Sequence, residues 1–186
     1  MKPITKVIDN VLHEDDFKKL ENLIFMQGSI IKWTWVPDIE GTYHKLKDSN
    51  KNPNLFMMVH KFYDMHDGGY MSDPDIIDFI HIITNKIHLC LEKHNIKVRD
   101  VIRIKANLYP NTSRLEEHRM HIDYDQSNQA GLFSLNTCDG YTKLNNGTKV
   151  ESVANRLFLF DGTQEHCSTT TTDTSARFNI NFNWSI

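Results

Sequence analysis

Residues 176–184 read ARFNINFNW, with apolar and polar residues alternating without a break. Successive side chains of a β-strand point to opposite faces. Arg177, Asn179, Asn181 and Asn183 therefore share one face, and Phe178, Ile180, Phe182 and Trp184 share the other. Two architectures accommodate such a strand. In a sheet with one wet face, the asparagines point into solvent. In a barrel or jelly roll with a polar interior, they point inward toward a charged ligand, and helices cover the aromatic face.

The preceding segments favour the second architecture. From Val101 onward the pattern has a period of two: VIRIKANLY (101–109), GLFSLN (131–136), GYTKL (140–144), TKVESV (148–153) and NRLFLF (155–160) are short strand-like runs. The NNG at 145–147 marks a tight turn between two of them. STTTTDTS (168–175) reads as a polar loop or exposed hairpin tip.

Before Val101 the signals are helical or irregular. Phe17, Leu20 and Ile24 fall on one face of a helix over 14–26, with acidic residues at its start. Ser72 and Asp75 form a capping box with Pro74 in the first turn, and Ile76, Ile80, Ile83, Ile87 and Leu91 track one face to about His94. Residues 33–54 read as an irregular surface segment, followed by a strand-like run at 54–63. The expected class is α+β, mainly β: one domain over 1–186, with 1–100 a helical and irregular flank and 101–186 the main jelly-roll strands.

Composition sets bounds. The chain has 186 residues, 39% hydrophobic and 24% charged, too apolar for disorder. No run of eighteen apolar residues is present, and MKPITKVIDN lacks the apolar stretch of a secretory signal. With 21 basic and 24 acidic residues the net charge is -3, which argues against a dedicated nucleic-acid binder unless a basic groove is local. Cys90, Cys138 and Cys167 form no paired framework, so free thiols and a reducing, cytoplasmic setting are expected.

Chemistry concentrates in EEHRMHID (116–123). On a strand, His121 and Asp123 project to the same face. His166 follows the run NRLFLF. Two histidines and one carboxylate form the facial triad that suits Fe(II) and leaves positions open for a co-substrate and O2. His118, three residues before His121, offers a helical pair and a zinc-like alternative, although nothing resembles HExxH. Arg177 then suits bidentate binding of a carboxylate such as the distal one of 2-oxoglutarate, with Asn179 beside it.

The order His121-Ile-Asp123, His166, Arg177 resembles the Fe(II)/2-oxoglutarate-dependent oxygenase superfamily. More narrowly, RIKANLYPNTSRLEEHRMHID (103–123) and residues 136–184 resemble small phage and bacterial oxygenases related to prolyl 4-hydroxylases, and FMMVHKFYD (56–64) resembles a matching segment. The resemblance implies a double-stranded β-helix with flanking N-terminal helices. It implies iron ligands His121, Asp123 and His166, with Arg177 holding 2-oxoglutarate. Asn179 matches an R-x-N pattern, and Asn107 with Tyr109 an N-x-Y pattern, of nucleic-acid-demethylating relatives. The gap from Tyr109 to His121 is longer than in those patterns. Gly140–Thr142 resembles the Gly-x-Thr segment of prolyl hydroxylases.

The implied reaction uses Fe(II), 2-oxoglutarate and O2 to hydroxylate a C–H bond, releasing succinate and CO2. A peptidyl, prolyl-type substrate is the first reading and a nucleic acid the second. A non-catalytic metal-binding jelly roll is the third. No membrane partner is expected, and the compartment is the cytoplasm, that of a host if the chain is phage-encoded. Trp33, Trp35, Tyr43 and Tyr63 could stack a proline ring or a base, or simply pack the two halves together.

Overall fold

The structure is a computed structural model, which describes residues 2–26, 31–37, 55–70 and 72–186. Chain order runs through β1 (Lys6–Asp9), α1 (Glu14–Glu21) with a π-helical turn at Asn22–Met26, β2 (Thr34–Val36), β3 (Met57–Asp64) and β4 (Gly69–Tyr70). Then follow α2 (Pro74–Lys93), β5 (Val101–Pro110), β6 (Gln129–Ser134), β7 (Tyr141–Leu144) and β8 (Lys149–Glu151). The chain continues through β9 (Arg156–Asp161), β10 (His166–Ser168) and β11 (Ala176–Trp184). The main sheet has the order β1-β9-β6-β11-β5-β3-β2, with β4 on β3; a small sheet has the order β10-β7-β8, and every named pairing is antiparallel. These are the two sheets of a jelly roll.

The alternation in β11 resolves inward. Arg177, Asn179, Asn181 and Asn183 are all buried, between 0% and 5% exposed, which excludes the solvent-facing strand. The opposite face packs under the helices. Ile180, Phe182 and Trp184 join Ile104 and Ala106 of β5, Phe133 of β6 and Leu157 of β9 in the core, against Leu20 of α1 and the stripe Ile76, Ile80, Ile83, Ile87 and Leu91 of α2. Burying one such side chain contributes about 1.5–3 kcal/mol. This exceeds the few tenths of a kcal/mol by which isoleucine disfavours a helix, so the stripe holds α2. A smaller cluster of Ala130, Leu132, Leu144, Phe158 and Phe160 joins the two sheets.

The NNG turn forms as expected: Gly147 has φ +89°, and Gly147 N–H donates to the Leu144 carbonyl between β7 and β8. Two expectations are corrected. Asp73, not Ser72, is the N-cap of α2 and makes no side-chain capping bond; the Ser72 hydroxyl is 2.6 Å from His60 Nε2, so it is unavailable to the helix. Residues 168–175 are not an exposed tip, because Ser168 and Thr169–Thr171 are buried and only the stretch after them reaches solvent. A further feature is that β1 and β3, within the first hundred residues, belong to the main sheet alongside the strands after Val101. The aromatic residues do not form one cluster: Trp33 packs on Phe178, Trp35 on Phe56 and Tyr63 on Tyr70. Tyr43 and residues 38–54 lie outside the described residues. No helix among the described residues is long and apolar enough to cross a membrane, and all three cysteines are free.

Candidate active site

The polar face of the main sheet is built by two strands in register. Tyr109 lies opposite Arg177, Asn107 opposite Asn179, Lys105 opposite Asn181 and Arg103 opposite Asn183. Together with residues of β3 and the small sheet, β5 and β11 line a cavity of about 310 Å³ that also contains His121, Asp123 and His166.

Those three residues converge. One ligand atom from each lies within 4.8 Å of the others. The two histidines sit opposite one another, because His121 and His166 exchange backbone hydrogen bonds of 3.0 and 2.9 Å. His121 Nδ1 lies 3.2 Å from the Arg119 carbonyl, and His166 Nδ1 lies 3.0 Å from the Gln164 carbonyl. A carbonyl can only accept, so each Nδ1 donates, and the neutral tautomer of each ring leaves the Nε2 lone pair for a cation. Burial, helped by the neighbouring His166, lowers the pKa of His121 and favours the neutral, ligating form.

Asp123 is held from its other side. Its Oδ2 accepts a 2.7 Å hydrogen bond from Asn181 Nδ2 and pairs with Arg103 Nη2 at 2.9 Å. Burial alone would raise this carboxyl. The charges of Arg103 and Lys105 outweigh burial and hold it far below the usual carboxylate range. Asp123 is thus ionised, and among the described residues Oδ1 has no such tether. Two imidazoles whose Nε2 atoms are free to ligate and one oriented carboxylate fit a divalent first-row metal such as Fe(II).

Arg177 lies behind Tyr109 and Thr142, which form the cavity wall at that end. Its Nη1 donates to the Tyr141 carbonyl at 2.9 Å and to the Thr169 carbonyl at 3.4 Å, and its Nη2 donates to Thr142 Oγ1 at 2.9 Å. Five N–H groups minus these three leave two, and among the described residues the buried Nε has no partner. Among the described residues no carboxylate pairs with this guanidinium, which is 1% exposed. Gly140 is required here: a Cβ on it would lie 2.7 Å from both Arg177 Cδ and the Thr170 carbonyl. Asn107 Nδ2 donates to Asn179 Oδ1 at 2.8 Å, and Asn179 lies buried beside the Tyr109 hydroxyl. Tyr109 is buried, which raises its hydroxyl pKa despite the opposing charge of Arg177.

The zinc-like alternative fails on position. His118 packs on the Tyr109 ring at 5.3 Å and is not a member of the metal-competent group. Sequence reasoning also missed Arg103 and Lys105. Their signal was available, since both share strand parity with Asn107 and Tyr109.

No protein-family model matches the sequence, and no curated protein matches it. Solved structures do match in shape. An oxidoreductase of the 2OG-Fe(II) oxygenase family from Burkholderia pseudomallei aligns with a TM-score of 0.70 at 8% identity, over 97% of this chain and 84% of that one. A Trichoplax adhaerens prolyl hydroxylase, solved with a hypoxia-inducible-factor peptide, aligns at 0.63 and 15% identity over 97% and 83%. An α-ketoglutarate-dependent epimerase of nogalamycin biosynthesis aligns at 0.66 and 10% identity over 99% and 79%. The likeness covers nearly the whole chain at low identity: the chain has the jelly-roll fold of the 2OG-Fe(II) oxygenases.

Proposed function

We propose that this chain is an Fe(II)- and 2-oxoglutarate-dependent dioxygenase that hydroxylates a C–H bond of a peptidyl, prolyl-type substrate. The reading is carried by one observation: His121, Asp123 and His166 converge with both imidazole tautomers and the carboxylate already oriented toward a common point. Fe(II) held there would supply the O2 chemistry, coupling oxidation of 2-oxoglutarate to succinate and CO2 with hydroxylation of the substrate.

The protein's part is binding and orientation. Arg177, with its unpartnered Nε–H, would take the distal carboxylate of 2-oxoglutarate, and Thr142 and Tyr109 would flank it. Asn107 and Asn179 would support the co-substrate between that end and the metal. Asn181 and Arg103 would keep Asp123 ionised and aimed. The peptidyl assignment is supported by the sequence resemblance to prolyl 4-hydroxylases and by the fold shared with the Trichoplax enzyme. The epimerase among the neighbours acts on a small molecule, so the fold itself does not decide the substrate.

Anaerobic titration tests the chemistry. A visible charge-transfer band should develop with Fe(II) and 2-oxoglutarate together, with neither alone, and not in His166→Ala. A parent protein that binds both without that band, or binds neither, would refute the oxygenase reading. Succinate release from prolyl peptides measured against oligonucleotides then tests the substrate; stimulation by oligonucleotides alone would refute the peptidyl assignment.

A further inference from the structure

The cations around the cavity are unequally matched. Arg103 is paired with Asp123 at 2.9 Å. Lys61 is paired with Asp64 at 3.2 Å and with Asp67. Lys105 lies between them on the sheet, opposite Asn181 on one side and Lys61 on the other, and lines the cavity with both. Among the described residues, its ammonium has neither an ion pair nor a hydrogen bond. Lys105 is half-buried at the cavity wall; a partly desolvated ammonium without a counter-charge is costly, and a fold keeps one where a ligand matches it.

We propose that Lys105 is a specificity-determining residue that seats an anionic group, a carboxylate or a phosphate, of the substrate to be oxidised. This rests on the oxygenase reading and adds the substrate's charge class to it. The carboxylate assigned to Arg177 cannot serve both cations. Arg177 lies opposite Tyr109, four residues along β5 from Lys105, or about 13 Å at 3.3 Å per residue. Lys105 sits instead on the Asp123 side of the cavity. Its neighbour Asn181 touches Asp123, and Lys61 and Arg103 line the cavity beside it. An acidic group on Lys105 would place the adjoining part of the substrate beside the metal group.

The test uses Mn(II)- and 2-oxoglutarate-loaded protein, with inorganic phosphate and ¹³C-labelled acetate as probes for the two kinds of anion. Paramagnetic relaxation of the ³¹P or ¹³C signal reports an anion near Mn(II). One probe should show saturable enhancement with the parent and at least tenfold weaker binding to Lys105→Met, while 2-oxoglutarate affinity stays within twofold. The probe that responds more strongly separates a phosphorylated from a carboxylated substrate. Lys105→Met should melt at or above the parent's temperature, because an unmatched charge is gone; a variant melting well below it would assign the ammonium a structural role and overturn the proposal. A parallel loss of 2-oxoglutarate affinity would give Lys105 to the co-substrate and overturn it too. A parent that binds Mn(II) and 2-oxoglutarate but shows no Lys105-dependent anion effect removes the anchor alone. A parent that binds neither removes the oxygenase reading and the anchor with it.

Discussion

At the Tyr109 end of the cavity, Arg177 is tied by two carbonyls and one hydroxyl; at the opposite end, Arg103 leans on a carboxylate, while Lys105 feels that carboxylate only at longer range and makes no ion pair or hydrogen bond among the described residues. Neutral acceptors fix the Arg177 guanidinium in space without cancelling its charge. Its position is specified while its electrostatic pull on an anion survives. The Arg103–Asp123 pair does the reverse. The charges cancel, and what remains is orientation of the carboxylate. One side chain type thus performs attraction at one end and alignment at the other, according to whether its partners are dipoles or ions.

The largest test of this contrast removes the ion from the pair. Asp123→Ala should abolish metal binding and also destabilise the fold by about 3–5 kcal/mol, because Arg103 is left as an unmatched buried charge. Adding Arg103→Met should restore much of the stability and none of the metal affinity, as read by chemical denaturation and Mn(II) titration. If the double variant were as unstable as the single one, Arg103 would not be acting through its charge. His166→Ala offers the cleaner metal knockout, since no ion pair is lost with it.

The next effect lies at the other end. Arg177→Ala should weaken 2-oxoglutarate binding to the Mn(II)-loaded protein by about 2–5 kcal/mol, with metal affinity nearly unchanged. Arg177→Lys should recover only part, since an ammonium lacks the planar fork. Equal affinity in calorimetry for parent and Arg177→Ala would dissolve the contrast, leaving two structural arginines.

The smallest effect concerns Lys105 and pH. Its folded-state pKa of about 8 lies below its ordinary value of 10.5. The charge therefore opposes folding in full below pH 8, and the opposition fades as pH rises from about 8 to about 10.5, where the unfolded chain binds more protons. Parent stability should rise across that window relative to Lys105→Met by on the order of 2–3 kcal/mol. A flat difference between the two denaturation series would mean that Lys105 is solvated after all.

Legibility from sequence followed the same division. The inward face of β11 was readable because strict alternation leaves only two orientations, and four polar residues on one face narrow the choice. His121 and Asp123 were readable as a pair by parity. What escaped was any feature that depends on a neighbouring strand. Ser72 has good capping chemistry, yet His60 lies 2.6 Å away across the fold and engages the hydroxyl. The threonines of 169–171 look like solvated residues, yet they are buried beside the small sheet, where Thr169 and Thr171 find hydroxyl, carbonyl or carboxylate partners. Arg103 and Lys105 have equal parity and similar composition; only the position of Asp123 separates the matched cation from the unmatched one.

The location of β11, between β5 and β6, has a kinetic consequence. Arg177 meets Tyr109, and Asn179 meets Ser134, while Lys6 of the outermost strand meets Leu159. Each pairing closes a loop of tens of residues or more before any contact compensates the lost chain entropy. Topologies dominated by such distant pairings fold on the scale of about milliseconds to seconds rather than microseconds. Without β11, one edge each of β5 and β6 is bare, and the polar face lacks Arg177, Asn179, Asn181 and Asn183. The complete cavity therefore requires β11 to be paired on both edges, and in any species lacking that pairing apolar strands such as GLF and RLFLF are open to pairing with the wrong chain.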